Sequence, residues 1–323
     1  MREAGLVCGY VIDQQGTATP IALDAVHLWR PEQGYLWLHF DIREPEAKRW
    51  LSERSGLSEV AIHTLVSEET RPHVWREADT LVMALRGVNL NPDAVPEDMV
   101  AVRVYADAHR LMTTRRRSLK ALRELANAMQ RGTGPASVAQ MLAELTGELT
   151  GQLLDAIDTL EDQMDGLEEV ILDEAKHQRR VHIMNLRRKC IMLRRYLAPQ
   201  REALARLYIE PLSWLNERQR MQQRNIADQL VRYVESLDAV KDRAAVVQEE
   251  LASRAADQLN TRMYILSLVA ALFLPLSFIL TIFDLQIGGI PLTEYRYGGL
   301  ALGGAMVCVV ATQIIIFKRK GWF

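Results

Sequence analysis

Two long apolar segments near the C-terminus constrain this chain more than any other feature. They are Met263–Phe283 and Gly298–Phe317, and neither contains Asp, Glu, Lys or Arg. At about 1.5 Å of rise per residue, each would form a helix of roughly 30 Å, which is the thickness of the hydrocarbon core of a bilayer. The pattern therefore predicts a soluble body followed by two membrane-spanning helices, 263–283 and 298–317.

Basic residues flank the apolar segments on one side only. Arg254 and Arg262 precede the first segment and Lys318-Arg319-Lys320 follows the second, whereas residues 284–297 between them carry one Arg. Because basic loops stay in the cytoplasm, we expect both termini in the cytoplasm, an external loop at 284–297 and a basic tail at 318–323. The N-terminus has no signal-peptide pattern, so the expected location is the inner membrane, crossed twice.

The composition excludes several classes of protein. The formal net charge is −2 and a quarter of the residues are charged, so no nucleic-acid partner is expected. The three cysteines lie far apart without a CxxC pair, which argues against a disulfide framework or a zinc ribbon. No phosphate-binding glycine loop, nucleophile elbow or HExxH motif occurs, so we expect neither an enzyme nor a permanently bound cofactor.

Residues 1–131 alternate between strand-like and helix-like patterns and predict a cytoplasmic α/β domain with a mixed sheet. Five segments rich in Val, Leu and aromatic residues are candidate strands: Leu6–Ile12, Tyr35–Phe40, Leu81–Leu85, Met99–Tyr105 and Leu111–Thr114. Glu46–Ser55 and Ser58–Leu65 have helical patterns, and Ser58 is the expected N-cap of the second helix.

The second soluble domain, 132–262, follows the chain breaker Gly132-Thr133-Gly134-Pro135 and has an almost wholly helical pattern. A first helix, about Ala136 to Glu174, ends acidic, and the next, Lys176 to Leu197, is basic. Opposite charges on successive helices predict an antiparallel hairpin held partly by ion pairs. Two solvated faces explain the charges equally well, and the acidic stretch is an alternative site for divalent ions.

A long stalk helix is expected from Glu217 into the membrane, because no Pro occurs before Pro275 and no Gly before Gly288. Apolar residues recur every three or four positions along it: Leu230, Val234, Leu237, Ala244, Val247, Leu251, Ala255 and Leu259. One helix of this kind would measure roughly 100 Å. Since so long a helix cannot bury its apolar face alone, the pattern predicts a homo-oligomer.

The same spacing continues into the first membrane segment and places its hydroxyl groups on one face. The candidate ion-pathway residues on this face are Asn260, Met263, Ser267, Ala270, Leu274, Ser277 and Thr281. Such a face is what a pore-lining helix in a ring of subunits requires. The alternative is that the small polar residues let helices pack closely or bond to their own backbone.

Short motifs in order along nearly the whole chain carry a resemblance to a known family. They are Trp37-Leu38-His39, Glu69-Thr70-Arg71-Pro72, Gly132-Thr133-Gly134-Pro135, Arg194–Arg201, Phe273-Leu274-Pro275 with Ser277-Phe278, Gly288-Gly289-Ile290-Pro291 and Lys318-Arg319-Lys320-Gly321-Trp322. Together they resemble the CorA family of divalent-cation transporters, and in detail its zinc-transporting ZntB branch. The resemblance implies an α+β membrane protein that forms a funnel-shaped homopentamer, with a pore lined by the first membrane helix.

One motif departs from this family. Its Gly-x-Asn signature, whose Asn ring holds a hydrated cation at the pore mouth, is replaced by Asp284-Leu285-Gln286. The candidate pore-mouth residues are therefore Asp284, Gln286, Gly288 and Gly289. A ring of Asp284 carboxylates would attract cations, whereas a single Asp at a helix end would only face water.

The resemblance implies transport of divalent cations, with zinc as the first candidate cargo and magnesium as the second. The expected partners are further copies of the chain, the lipid bilayer and the transported ion, and protons are a candidate coupling ion. One alternative is a magnesium, cobalt or nickel channel of the same family. Another is a non-conducting membrane sensor or scaffold that lost transport together with Gly-x-Asn.

Overall fold

The structure is a computed structural model that describes residues 5–68, 71–169, 176–284 and 296–319. Contacts within the chain divide it into two compact units, Met1–Gln248 and Glu249–Phe323. The first unit contains the sheet and most of the helices, and the second contains the two apolar helices. The boundaries given above for the stalk, the membrane segments and the loop remain predictions.

A seven-stranded mixed sheet forms the centre of the first unit. Its strands are β1 Leu6–Ile12, β2 Ala18–Pro20, β3 Tyr35–Asp41, β4 His73–Glu77, β5 Thr80–Gly87, β6 Val100–Ala106 and β7 Arg110–Arg115, in the order β2-β1-β3-β7-β6-β5-β4. Only β3 and β7 are parallel, with His39 opposite Thr113. All five predicted strands are present, and β2 and β4 are additional.

Two helices cover one face of the sheet, and both were predicted. They are α1, Pro45–Glu53, and α2, Glu59–Val66. Trp50 of α1 stacks on Phe40 of β3 with ring centroids 5.2 Å apart. The Ser58 hydroxyl accepts a hydrogen bond from the backbone N–H of Ala61 at 3.3 Å, which confirms it as the N-cap of α2.

The remaining helices follow the sheet in sequence. They are α3 Lys120–Gln130, α4 Val138–Gly151, α5 Leu154–Glu169, α6 Lys176–Leu207, α7 Glu217–Asp284 and α8 Gly298–Arg319. The single helix expected from Ala136 to Glu174 is wrong, because α4 ends at Gly151 and α5 begins at Leu154. The turn between them buries the Leu153 side chain completely, and this gain in apolar burial offsets the interruption.

A glutamine side chain joins α6 to the sheet. Gln200 is fully buried, and its Oε1 accepts from the backbone N–H of Arg86 at 2.6 Å. Its Nε2 donates to the carbonyl of the same residue at 3.1 Å. Gln200 thus satisfies both backbone groups of Arg86 that point away from β6, in the way a further strand would.

The long helix α7 is continuous for 68 residues, or roughly 100 Å, as predicted. Its apolar stripe changes character along the chain. Leu230, Leu237 and Val247 are buried, whereas Leu251 is half-buried and Leu259 is exposed. The first part of the stripe therefore packs within the chain, and the last part remains available to another surface.

By length and composition, two helices could cross a membrane. One apolar window lies within Glu217–Ile282 and the other within Gly298–Arg319, and the rest of the chain buries no residue of either window. Such exposure excludes the common alternative for apolar helices, the core of a soluble protein. The observed order is thus an N-terminal α/β domain, a long helix and two C-terminal apolar helices, as predicted.

Candidate functional site

The predicted ion-pathway face of α7 is uncovered along its whole length. All seven of its residues are exposed: Asn260, Met263, Ser267, Ala270, Leu274, Ser277 and Thr281. Leu274 and Met263 retain 71% and 67% of their accessible surface. No other part of the described chain packs on this face, so whatever covers it is a lipid, an ion path or another subunit.

The opposite face of the same segment packs against α8. Its half-buried residues are Leu268, Ala271, Leu272, Pro275, Leu276 and Ile279. With 3.6 residues per turn, the centre of this set lies more than about 120° around the helix from the centre of the pathway face. The second membrane helix is therefore placed behind α7, and it leaves the hydroxyl-bearing face free.

The hydroxyl groups of the pathway face have two readings, and one contact bears on both. The Thr281 hydroxyl donates to the backbone carbonyl of Ser277 at 2.8 Å. This bond is the backbone interaction considered as the alternative to a pore. It uses only the hydroxyl proton, so the oxygen lone pairs still point outward and can accept from the water shell of a cation.

A polar contact between the two apolar helices was missed by the sequence interpretation. The Gln313 side chain on α8 donates from Nε2 to the backbone carbonyl of Ala271 on α7 at 3.1 Å. The signal was available, because Gln313 is the one amide side chain in Gly298–Phe317. An interhelical hydrogen bond of this kind fixes the rotation of one membrane helix against the other.

The pore-mouth prediction falls mainly outside the described residues. Asp284 is the last residue of α7, at the end of the pathway face, whereas Gln286, Gly288 and Gly289 lie outside the described ranges. The grouping of these four residues at a mouth therefore remains a prediction.

Charged residues of α5 and α6 pair with α7 rather than with each other. Arg243 of α7 bonds Asp165 of α5 at 2.6 Å, and Arg194 of α6 bonds Asp238 of α7 at 2.7 Å. Among the described residues, no ion pair joins α5 to α6. The predicted ion pairing between the acidic and basic helices is wrong for this part of the chain, because α7 offers charges of both signs to them.

These pairs set the protonation of the groups involved. Hydrogen bonds from Arg243 hold the pKa of the Glu168 carboxyl below its ordinary value. Burial would raise the pKa of Asp238, but hydrogen bonds from Lys241 and Arg194 outweigh it and lower that pKa. Both carboxylates are therefore charged and already paired at neutral pH, which weakens the alternative of a metal site on the acidic helix.

A buried polar group lies inside the sheet. His39 is 2% exposed, and its Nδ1 is 2.8 Å from the Thr113 hydroxyl oxygen. Burial, reinforced by the nearby charge of Arg115, lowers the pKa of His39 to about 3. Within the described ranges, no three side chains of His, Cys, Asp or Glu are grouped so that they could hold a metal ion, so His39 belongs to the core.

Comparison with known proteins covers almost all of the chain. The family described as "CorA-like Mg2+ transporter protein" matches residues 32–319. A divalent cation transporter, CmaX of Pseudomonas aeruginosa, is 36% identical over 99% of this chain and 97% of its own. A zinc transport protein, ZntB of Yersinia enterocolitica, is 35% identical over 100% of this chain and 97% of its own.

Solved structures give the same result. The structure of full-length CmaX superposes with a TM-score of 0.84 at 37% identity and covers 98% of each chain. The CorA magnesium transporter of Methanocaldococcus jannaschii has a TM-score of 0.81 over 98% of this chain and 99% of its own, at 18% identity, and shows the fold alone. On the family match and these relatives, the chain belongs to the CorA-like Mg2+ transporter family.

Proposed function

We propose that this protein carries divalent metal cations across the inner membrane, with zinc as the first candidate cargo and magnesium as the second. Membership of a transporter family supports this role, as do full-length relatives whose names specify divalent-cation and zinc transport. The role is transport rather than catalysis, and no cofactor is permanently bound. The metal ion is cargo, held only briefly on its way.

The pathway runs along the face of α7 that bears the hydroxyl groups. One observation carries this proposal: every predicted pathway residue is exposed, while α8 occupies the opposite face. Ser267, Ser277 and Thr281 supply oxygens for the water shell of the ion, and Leu274 forms an apolar constriction. Because no ionisable side chain lies between Met263 and Phe283, the ion passes at least partly hydrated.

A ring of subunits closes this pathway. The stripe on α7 loses its intrachain partners after Val247, and Leu259 retains 61% of its accessible surface. Copies of the chain that pack along this stripe would bury it and bring their pathway faces to one axis. Resemblance to the family suggests five copies, with both termini in the cytoplasm and the 284–297 loop outside.

Capture of the cation takes place at the outer end of α7. Asp284 repeated around an axis forms an acidic ring that attracts cations and repels anions. Gln286 supplies amide oxygens beside it, and Gly288 and Gly289 leave space for the chain at the mouth. Coupling to protons requires groups outside 263–283, since that segment has no titratable side chain other than the Tyr264 phenol.

Cysteine labelling tests the pathway directly. In a background in which the exposed Cys308 is replaced by Ala, Ser267→Cys and Ser277→Cys are made singly and placed in liposomes. A charged, water-soluble thiol reagent is expected to label both positions and to reduce zinc flux, because water reaches a pore. Thiol labelling requires the thiolate, which forms only where water is present.

Val269→Cys is the matched control. Val269 is also exposed in the single chain, at 44%, but it lies on neither the pathway face nor the α8 face and would contact lipid. It should remain unlabelled. Equal labelling at positions 267, 269 and 277, or labelling without any effect on flux, would contradict the assigned pathway.

A further inference from the structure

Five arginines meet at one edge of the sheet in the first unit. The parallel strands β3 and β7 both end there, with Asp41 opposite Arg115, and β5 ends beside the start of β6, with Gly87 opposite Val100. A cavity of about 340 Å³ opens at this edge. Its charged lining, here called the arginine pocket, consists of Arg43, Arg86, Arg103, Arg116, Arg117 and Glu68.

Nearby carboxylates neutralise only part of this charge. Three ion pairs involve the lining: Arg43–Asp41 at 2.6 Å, Arg116–Glu68 at 3.1 Å and Arg117–Asp98 at 2.5 Å. The Arg86 guanidinium lies over the Tyr196 ring, 4.4 Å from its centroid. Five guanidinium groups against three carboxylates leave a surplus of two positive charges at neutral pH.

Arg103 is the member of the pocket with the fewest partners. Its side chain is 1% exposed, and its Nη2 donates to the backbone carbonyl of Glu68 at 3.0 Å. In the part of the chain that the structure describes, its Nε and Nη1 have no hydrogen-bond partner. A buried cation without an anionic partner is costly, so an anion at these two nitrogens would stabilise the site.

The surroundings of Arg103 disfavour its charge further. Burial, together with the charges of Arg86 and Arg116, lowers the pKa of Arg103 to about 10, and only Glu68 opposes this shift. Even so, the guanidinium is protonated at neutral pH. The pocket thus keeps a charged group in a position that pairs poorly with its own chain and would pair well with a bound anion.

We propose that the arginine pocket binds a small anion that carries phosphate groups, with Arg103 and Arg116 donating to phosphate oxygens. The planar guanidinium fork matches the spacing of two phosphate oxygens, and such bidentate pairs are strong. Water occupies about 30 Å³ per molecule in the liquid, so the cavity accepts a phosphate group together with part of the molecule that bears it.

The position in the fold agrees with this ligand class. Open α/β sheets bind ligands at the carboxyl ends of their parallel strands, and the arginine pocket lies where the two parallel strands end. All of its lining belongs to the first unit. The proposal therefore stands or falls independently of transport, and a bound phosphate compound would be an effector or ligand of the soluble body rather than cargo.

Calorimetric titration of the full-length protein in detergent tests the proposal, with pyrophosphate as the first probe and inorganic phosphate as the second. A chelator removes divalent metals, which would otherwise bind the probes. Saturable binding of pyrophosphate is expected. Since hydrogen bonds to charged groups are lost, Arg103→Met and Arg116→Gln should each weaken binding by about ten- to a hundred-fold.

Arg123→Gln is the control, because Arg123 is exposed on α3 outside the pocket, and its affinity should equal that of the wild type. Arg116 is also largely exposed, so Arg116→Gln decides the test if Arg103→Met does not fold. Equal affinities in the wild type and both pocket variants, or no saturable heat with either probe, would overturn the proposal. Displacement of pyrophosphate by chloride at matched ionic strength, as effective as by phosphate, would also overturn it, because the site would then be a halide site.

Discussion

Arg243 on α7 and Glu168 on α5 share two charge-assisted hydrogen bonds, one from Nε to Oε1 at 2.9 Å and one from Nη2 to Oε2. The same guanidinium also bonds Asp165. One basic residue on the long helix thereby holds two acids of α5. This arrangement connects the acidic helix to the element that continues into the apolar segment.

Arg243→Gln should lower the free energy of unfolding by about 1 kcal/mol or less, because the three side chains are partly exposed and screened. Denaturant unfolding of the purified protein measures this change, and the loss should shrink as salt is raised. Arg232→Gln on the same helix, where Arg232 is exposed, is the control. A loss that is independent of salt would show that packing, and not charge, is responsible.

The same pair gives a pH dependence with a defined sign. Because Arg243 lowers the pKa of Glu168 in the folded protein, the pair stabilises the fold above the ordinary pKa of 4.5. That contribution is lost as the pH falls through the lowered folded value. The difference in unfolding free energy between wild type and Arg243→Gln should therefore vanish in acid, and a difference that persists there would contradict the assignment.

Gln200→Ala should destabilise the first unit by about 2–4 kcal/mol. The substitution removes two hydrogen bonds and leaves the buried N–H and C=O of Arg86 without partners, each at a cost of about 1–3 kcal/mol. Chemical denaturation followed by tryptophan fluorescence measures the effect. Gln178→Ala on the same helix α6 is the control, since Gln178 is exposed, and an equal effect from both would sink the role given to Gln200.

His39 predicts a second pH effect. Its pKa is about 3 in the folded protein against 6.5 ordinarily, so only the unfolded chain binds a proton between these values. Stability should therefore fall as the pH drops below 6.5, by about 1.4 kcal/mol per pH unit. His39→Asn should remove this slope, while the exposed His109→Asn should keep it, and unfolding between pH 5 and pH 7.5 distinguishes them.

The sequence predicts elements best where one periodic signal runs far along the chain. The apolar helices and the continuous α7 follow from such long patterns. The strands β2 and β4 were missed because they are short edge strands: β2 has three residues and ends in Pro20, and β4 carries Arg76 and Glu77. Helix α3 was missed because no side chain caps its first turn.

The candidate sites show the same limit more clearly. The pathway residues share one helix, so their common face could be read from spacing alone. The arginine pocket could not, because its residues come from the ends of four strands that are far apart in sequence. A local signal existed in Arg115-Arg116-Arg117 directly after β7, but the burial of Arg103 depends on tertiary packing.

Oligomer formation should depend on the exposed end of the α7 stripe. Leu259→Glu places a charge on the surface that we assign to subunit contact, where desolvation disfavours it, so the oligomer should dissociate. Native mass spectrometry of the detergent-solubilised protein counts the copies. Ser253→Glu, on the opposite side of the same exposed turn, should leave the count unchanged, and dissociation by both variants would argue against a specific interface.

The most direct measurement of the proposed function is zinc uptake into liposomes that contain the purified protein. Uptake is compared with that of nickel, cobalt and magnesium, with and without an inward proton gradient. We expect saturable zinc uptake that falls when Asp284, the last residue of α7, is replaced in Asp284→Asn. Absence of flux for every one of these ions, from protein shown to be an intact oligomer, would contradict transport and leave a membrane sensor or scaffold.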